Sequence, residues 1–256
     1  MPDLEKALRA GRDEGRKLLI PYLMGGMTDD WTQSLAAVIG AGADAVEVGI
    51  PFSDPMMDGP VIQEAALRAL QRDTVPDQVL DGIGRTEIPV PIAVMTYYNL
   101  VFRAGHKRMA RSMAAAGVSG AIIADLPLEE IDLWAAEADS AGISTVLLVA
   151  PSSPPDRVER ICARAHGFVY AVARMGVTGE RVALGEDVTK VVERIRRYTD
   201  MPVCVGVGVS TPDQAAQVCE VADGVVVGSA LVRRLLEGQG PDGAAAFVGS
   251  LRDAID

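Results

Sequence analysis

The stretch Ala41-Gly-Ala-Asp-Ala-Val-Glu-Val-Gly-Ile50 contains the unit on which the fold prediction rests. A helical pattern ends at its Ala-Gly pair, and a short apolar run begins directly afterwards. The phrases Ala116-Gly-Val-Ser119 and Ala141-Gly-Ile-Ser144 repeat this transition further along the chain. Short runs of Val, Ile and Ala that are bounded by glycine are typical of parallel strands buried on both faces.

Strand and helix patterns alternate along the whole chain. We predict eight strands, at residues 17–23, 45–48, 90–95, 120–124, 144–149, 168–172, 203–207 and 224–227, with eight main helices between and after them. An additional amphipathic helix over residues 4–15 precedes the first strand. Because composition does not change along the 256 residues, we predict one α/β domain, residues 1–256, folded as a (β/α)8 TIM barrel. An open doubly wound sheet is the alternative, since a count of repeats does not prove closure.

Composition and charge exclude several classes of protein. With 49% hydrophobic and 23% charged residues, the chain has the composition of an ordinary globular protein. A net charge of −11 argues against nucleic acid or an anionic membrane surface as partner. No apolar run reaches the roughly 18 to 20 residues of a membrane span, and the first residues lack a signal-peptide pattern, so we expect a cytoplasmic protein. The three cysteines lack zinc-site spacing, and we predict no metal site.

Glu47 interrupts the apolar run of the second strand, and Asp58 lies in the Pro- and Gly-rich loop that follows. An unpaired charge in an apolar interior is costly, so Glu47 is expected to find a partner or to hold a proton with a raised pKa. Two carboxylates in different surroundings can divide acid and base work between them. The alternatives are a Glu47 that faces solvent and an Asp58 that serves only the turn.

The loops after the last two predicted strands are rich in glycine. They read Gly206-Val-Gly208-Val-Ser210 and Gly228-Ser229-Ala230, and each precedes a helix. Glycine allows close approach of the backbone, and helix N-termini offer unpaired N–H groups, so this end of a barrel is suited to a phosphate. The long polar stretch over residues 173–186 is predicted to be a functional loop. The structural alternative is that strand-to-helix turns need glycine in any case.

Three further residues are weaker candidates for the pocket. Tyr97 follows the third strand and Tyr170 lies at the end of the sixth, although packing explains either residue equally well. Asp125 ends the fourth strand, where capping of the next helix is the simpler interpretation.

The motifs, taken in order, resemble the tryptophan synthase alpha chain family. They are Glu47-Val-Gly-Ile-Pro-Phe-Ser-Asp54-Pro, Asp58-Gly-Pro60, Arg174-Met-Gly-Val-Thr-Gly179 and the two glycine loops. The resemblance covers essentially the whole chain. It implies a TIM barrel that cleaves indole-3-glycerol phosphate to indole and glyceraldehyde 3-phosphate without metal or organic cofactor. It also implies a beta chain as partner, in an alpha2beta2 tetramer.

The resemblance also assigns roles to single positions. Glu47 corresponds to a general acid/base that protonates indole C3, and Asp58 to the carboxylate that meets the indole N–H. Thr178 corresponds to a lid residue whose closure orders the Asp58 loop. The remaining implied substrate contacts are Tyr170, Gly179, Gly208, Gly228 and Ser229, and Gly206 of the first glycine loop is a further candidate from the residues themselves.

Two segments depart from the family pattern. Leu23-Met-Gly-Gly-Met27 replaces a Gly-Asp-Pro-like or Gly-Phe-Pro-like turn, and Met56-Met57 replaces Leu-Ala. Both lie near the expected pocket or partner surface. A stand-alone indole-3-glycerol-phosphate lyase of a secondary pathway is therefore an alternative. Two further alternatives are another phosphate-binding barrel isomerase and a non-catalytic regulatory barrel. The regulatory barrel would be expected to lack Glu47 or Asp58.

Overall fold

The computed structural model describes residues 2–173, 176–178, 181–183 and 186–256, with residues 176–178, 181–183 and 186 described by their backbone alone. The strands are β1 (Leu18–Met24), β2 (Val46–Gly49), β3 (Ile92–Thr96), β4 (Gly120–Ile123), β5 (Ser144–Thr145), β6 (Leu147–Val149), β7 (Val169–Val172), β8 (Gly176–Thr178), β9 (Arg181–Ala183), β10 (Val203–Gly206) and β11 (Gly224–Val227).

The helices surround this sheet in chain order. They are α1 (Leu4–Asp13), α2 (Trp31–Gly40), α3 (Pro60–Gln71), α4 (Pro76–Arg85), α5 (Tyr98–Ala104), α6 (His106–Ala115), α7 (Asp132–Ser140), α8 (Pro155–Arg164), α9 (Glu186–Arg196), α10 (Pro212–Val221), α11 (Ser229–Leu236) and α12 (Gly240–Ile255), with a 3-10 turn at Leu128–Glu130. None of the helices in the described part of the chain is both long and apolar enough to cross a membrane.

The sheet closes into a parallel barrel. Its strand order is β5-β4-β3-β2-β1-β11-β10-β7-β6, and every neighbouring pair is parallel. The two end members, β5 and β6, are successive parts of one strand that is interrupted at Val146, whose N–H donates to the Ala121 carbonyl at 3.0 Å. Because β5 pairs with β4 and β6 pairs with β7, this strand joins the ends of the sheet. The predicted TIM barrel is confirmed.

At the amino ends of the strands, the interior of the barrel is filled with apolar side chains. Residues from successive strands, including Leu18, Ala93 and Phe168, form one buried cluster there, and Leu4 and Leu8 of α1 belong to it. A Cβ atom on Gly120 would lie 2.4 Å from the Leu4 side chain, so the absence of a side chain makes room for α1. The N-terminal helix therefore closes this end of the barrel, and an open cavity is found at the carboxyl ends of the strands.

Three details differ from the sequence prediction. Part of the stretch predicted as a loop contains the antiparallel hairpin β8–β9. Each of its strands has three residues, which is too short for an alternating pattern to be recognised in the sequence. Helix α5 forms directly after β3 and is not one of the eight main helices predicted from the sequence. The predicted final helix is divided into α11 and α12, because Gly238 and Gly240 adopt positive φ between them.

Candidate active site

Glu47 lies in β2, opposite Tyr22 of β1 and Ala93 of β3 in the register of the sheet. Its side chain is 1% exposed, and neither carboxyl oxygen has a hydrogen-bond partner among the described residues. Burial, with a further contribution from the charge of Asp58, raises the pKa of Glu47 to about 8. At neutral pH, Glu47 is therefore mostly protonated and can act as a proton donor.

Asp58 lies in the loop between β2 and α3 and is only partly buried. Its Oδ2 accepts a hydrogen bond from the Tyr97 hydroxyl at 3.0 Å. Burial raises the pKa of Asp58, whereas the hydrogen bond from Tyr97 opposes this shift by favouring the charged carboxylate. The two carboxyl groups thus have different surroundings, as is required if one is to act as an acid and the other as a charged carboxylate.

A cavity of about 410 Å³ opens at the carboxyl ends of the barrel strands and contains both carboxylates. Most of its wall is apolar, as is usual for a site that binds a small molecule. The lining residues are Tyr22, Glu47, Met57, Asp58, Gly59, Ile62, Met95, Ala124, Leu148, Tyr170, Val172, Ala173, Gly206, Val207, Gly208, Val226, Gly228 and Ser229.

Two tyrosines of the cavity wall lie against glycines. A Cβ atom on Gly49 would be 2.0 Å from the Tyr22 hydroxyl, and one on Gly206 would be 2.6 Å from Cε2 of Tyr170. A side chain at Gly49 or Gly206 would collide with one of these rings, so the two glycines make room for them. Burial raises the pKa of both hydroxyls, which therefore stay protonated and can donate hydrogen bonds into the cavity.

The glycine loops form the side of the cavity where β10 and β11 end. Gly208 adopts a φ of 78°, which a residue with a side chain adopts only with strain. Helix α11 begins at Ser229 with Gly228 as its N-cap and no side-chain cap hydrogen bond, so its first N–H groups are available to an anion. At α10, in contrast, the Thr211 side chain already accepts the hydrogen bond of the Gln214 N–H. The start of α11 is therefore better suited to an anion than the start of α10.

Several residues predicted from the sequence share this cavity: Glu47, Asp58, Tyr170, Gly206, Gly208, Gly228 and Ser229. Tyr97 does not line it but lies behind Asp58. Asp125 is exposed and accepts a hydrogen bond from the Tyr98 N–H at 2.6 Å, so it caps α5 and does not line the cavity. Thr178 is described by its backbone alone, and Gly179 lies outside the described residues.

Tyr22, Met95 and Leu148 line the cavity but were not singled out in the sequence. A signal for Tyr22 was present, because residues 18, 20 and 22 alternate on one face of β1 and the last of them faces the open end of the barrel. Nothing in the local sequence distinguishes Met95 or Leu148 from ordinary core residues.

Within the described part of the chain, no group of three or more His, Cys, Asp or Glu side chains is placed to hold a metal ion. The cysteines Cys162, Cys204 and Cys219 are buried and unpaired. Met56 and Met57 are 79% and 59% exposed, so the loop after β2 presents an apolar pair to solvent.

Comparison with known proteins gives a consistent result. Residues 8–248 match the family model described as tryptophan synthase alpha chain. The tryptophan synthase alpha chain of Halorhodospira halophila is 46% identical over 261 residues, covering 100% of this chain and 94% of that protein. The corresponding protein of Picosynechococcus is 43% identical, and the alignment covers 100% of both chains.

Solved structures agree with the sequence comparisons. A chain of Mycobacterium tuberculosis tryptophan synthase superposes with a TM-score of 0.91 at 38% identity, covering 98% of this chain and 97% of that one. Tryptophan synthase subunit alpha of Legionella pneumophila gives a TM-score of 0.90 at 32% identity, with coverage of 100% and 99%.

Proposed function

The chain belongs to the tryptophan synthase alpha chain family, and from that premise we propose how its residues divide the work of the reaction. It is a carbon–carbon lyase of tryptophan biosynthesis that cleaves indole-3-glycerol phosphate to indole and glyceraldehyde 3-phosphate. The assignment of roles rests on one observation above all: Glu47 has a carboxyl group with a pKa of about 8 and no hydrogen-bond partner among the described residues, inside the cavity.

Cleavage of the bond between indole C3 and the glycerol chain requires three changes. A proton must be added to C3, positive charge that develops on the ring nitrogen must be stabilised, and the glycerol hydroxyl must lose its proton as the aldehyde forms. Glu47, protonated at neutral pH, donates the proton to C3. After this donation its carboxylate accepts the hydroxyl proton, so that the enzyme ends the cycle in its starting protonation state.

Asp58 stabilises the positive charge that develops on the ring nitrogen. Its carboxylate, held in the charged form by the Tyr97 hydroxyl, accepts a hydrogen bond from the indole N–H and stabilises the positive charge on the ring. The apolar wall, which includes Ile62, Met95 and Leu148, receives the indole ring. Burial of the ring in this wall also keeps water away from the reacting carbon.

The phosphate end of the substrate lies at the glycine side of the cavity. N–H groups at the start of α11, next to Gly228 and Ser229, bind the phosphate, and Gly206 and Gly208 allow the backbone to approach it. The Tyr170 hydroxyl donates a hydrogen bond to the glycerol phosphate. Thr178 and Gly179 are proposed from the sequence pattern alone as the lid that covers this end.

We also propose the assembly and the compartment. A tryptophan synthase beta chain binds the loop that carries the exposed pair Met56 and Met57, giving an alpha2beta2 tetramer that transfers indole between subunits. Residues 1–256 act as one domain. Three buried free cysteines suit a reducing compartment, which supports a cytoplasmic location.

The test is indole release from indole-3-glycerol phosphate by the purified protein, with and without a tryptophan synthase beta chain. Glu47→Gln and Asp58→Asn are each expected to reduce kcat by roughly 100-fold or more, as for loss of a positioned acid or base. Glu64→Gln, in an exposed ion pair of α3, is the matched control and should keep full activity. Near-normal activity of Glu47→Gln would overturn the mechanism. Indole release that no beta chain alters would favour the stand-alone lyase.

A further inference from the structure

Tyr97 has contacts that a residue of the substrate pocket does not need. It follows β3, is 4% exposed and lies outside the cavity lining. Its hydroxyl accepts a hydrogen bond from the Met57 N–H at 3.0 Å and donates one to Oδ2 of Asp58 at 3.0 Å. One hydroxyl therefore holds two consecutive residues of the β2–α3 loop.

The ring of Tyr97 is itself fixed against the same loop. It stacks on Phe52, with ring centroids 4.9 Å apart and an angle of 24° between the ring planes. Among the described residues, Tyr97 alone donates a hydrogen bond to the carboxylate of Asp58. The loop's other bonds, such as that from the Asp58 N–H to the Pro55 carbonyl, hold its backbone and leave the carboxylate free to rotate.

We infer that Tyr97 is a positioning residue, which orients the Asp58 carboxylate for the indole N–H, and that it does not bind the substrate. This inference rests on the proposed role of Asp58. It also ties the exposed Met57 to Asp58 through one hydroxyl, so that a partner which displaces Met57 also changes the position of the carboxylate.

The charge of Asp58 depends on this bond because the rest of its surroundings opposes ionisation. Burial raises its pKa, and the groups that face it are the carboxyl of Glu47 and the neutral hydroxyls of Tyr22 and Tyr170. Tyr97 also faces Asp125, which adds a second negative charge nearby. Within the described residues, no lysine or arginine contributes to the pKa of Asp58, and the hydroxyl of Tyr97 is the group that lowers it.

The first test does not depend on activity. The Asp58 carboxyl is titrated by 13C NMR in the parent and in Tyr97→Phe, with its signal assigned by its loss in Asp58→Asn. Phe keeps the stack on Phe52, so the fold should be retained, and a thermal melt verifies this. We expect a higher Asp58 pKa in Tyr97→Phe. Tyr98→Phe is the matched control, because its hydroxyl contacts His106 and not Asp58. An unchanged Asp58 pKa in Tyr97→Phe would refute the inference.

The second test uses indole release. Tyr97→Phe should reduce kcat by about 10-fold or more with little change in KM, as expected when a hydrogen bond to a charged group is lost. In the pH profile of Tyr97→Phe, the loss of activity on the acidic side should occur at higher pH than in the parent. The double variant with Asp58→Asn should be no slower than Asp58→Asn alone, because Tyr97 acts through Asp58. A rise in KM alone, or additive losses, would instead indicate a substrate contact or a general structural role. A parent enzyme without activity would refute the proposed function, while the titration would still decide the role of Tyr97.

Discussion

Glu47 and Asp58 share one cavity, but only the carboxylate of Asp58 has a hydrogen-bond donor among the described residues, and its charge raises the pKa of Glu47 beyond the effect of burial. Glu47 is thus kept protonated at neutral pH, whereas the Tyr97 hydroxyl favours the charged form of Asp58 against the effect of burial. This asymmetry gives the site an acid and a charge-stabilising group, and no lysine or arginine of the described residues lines the cavity.

Activity should depend on pH through both carboxyl groups. Glu47 must be protonated to donate to indole C3, so kcat/KM should fall as pH rises through about 8. Asp58 must be charged, so activity should also fall as pH drops through its raised pKa. A pH profile of indole release measures both limbs, and the two apparent pKa values belong to the coupled pair. An activity that stays constant from pH 6 to pH 10 would contradict this assignment.

Glu47 should lower the stability of the fold at alkaline pH. Its pKa is about 8 in the folded chain against an ordinary value of 4.5, so the folded state binds one more proton than the unfolded state at pH values between the two. The contribution of Glu47 to the free energy of unfolding is fully present below about pH 4.5. It is lost as pH rises towards 8 and above, and the loss is on the order of a few kcal/mol. Glu47→Gln should therefore raise Tm relative to the parent at pH 9.

The control for this stability effect is the same comparison at pH 5, where Glu47 is protonated in the folded protein and the gain in Tm should largely disappear. Glu64→Gln, which alters an exposed ion pair, should change Tm little at either pH. A destabilised Glu47→Gln at pH 9 would show that the carboxylate has a stabilising partner in solution.

Gly206→Ala should weaken substrate binding. The new Cβ would lie 2.6 Å from Cε2 and 2.7 Å from the hydroxyl of Tyr170, so the ring must shift from its place in the cavity wall. We expect KM for indole-3-glycerol phosphate to rise by roughly 10-fold, since loss of a hydrogen bond to a charged group has about this effect. Steady-state kinetics measures the change. Gly249→Ala in α12, where a Cβ meets nothing within 4 Å, is the matched control. Equal KM values in both variants would show that Tyr170 is not needed for binding.

Met56→Ser tests the proposed partner surface. Met56 is 79% exposed and does not line the cavity, so indole release by the isolated chain should be unchanged. Stimulation by a tryptophan synthase beta chain should fall, because a buried methionine side chain contributes about 1.5 to 3 kcal/mol to an apolar contact. Leu67→Ser, on the exposed face of α3, is the control and should leave the stimulation intact. Normal stimulation of Met56→Ser would place the interface elsewhere.

Prediction of the fold from the sequence succeeded where local patterns were strong. The predicted strand over residues 224–227 agrees with β11 (Gly224–Val227), and the predicted strand over residues 203–207 differs from β10 (Val203–Gly206) by one residue. Helix α5 and the hairpin β8–β9 were missed because each is short, and seven or three residues carry little periodic signal. The closure of the barrel at β5 and β6 depends on pairing between distant strands, which no local pattern encodes.

The sequence by itself determined the alternation of strands and helices, the place of Glu47 in an apolar run and the glycine loops, because these depend on the apolar period and on the φ values that glycine allows. Tertiary structure alone decided the chemistry of the site. Tyr97 and Asp58 are 39 positions apart, and their hydrogen bond exists only because β3 ends beside the loop after β2. The pKa of Glu47 depends in the same way on side chains from several strands, since desolvation and Coulomb interaction act through space and not along the chain.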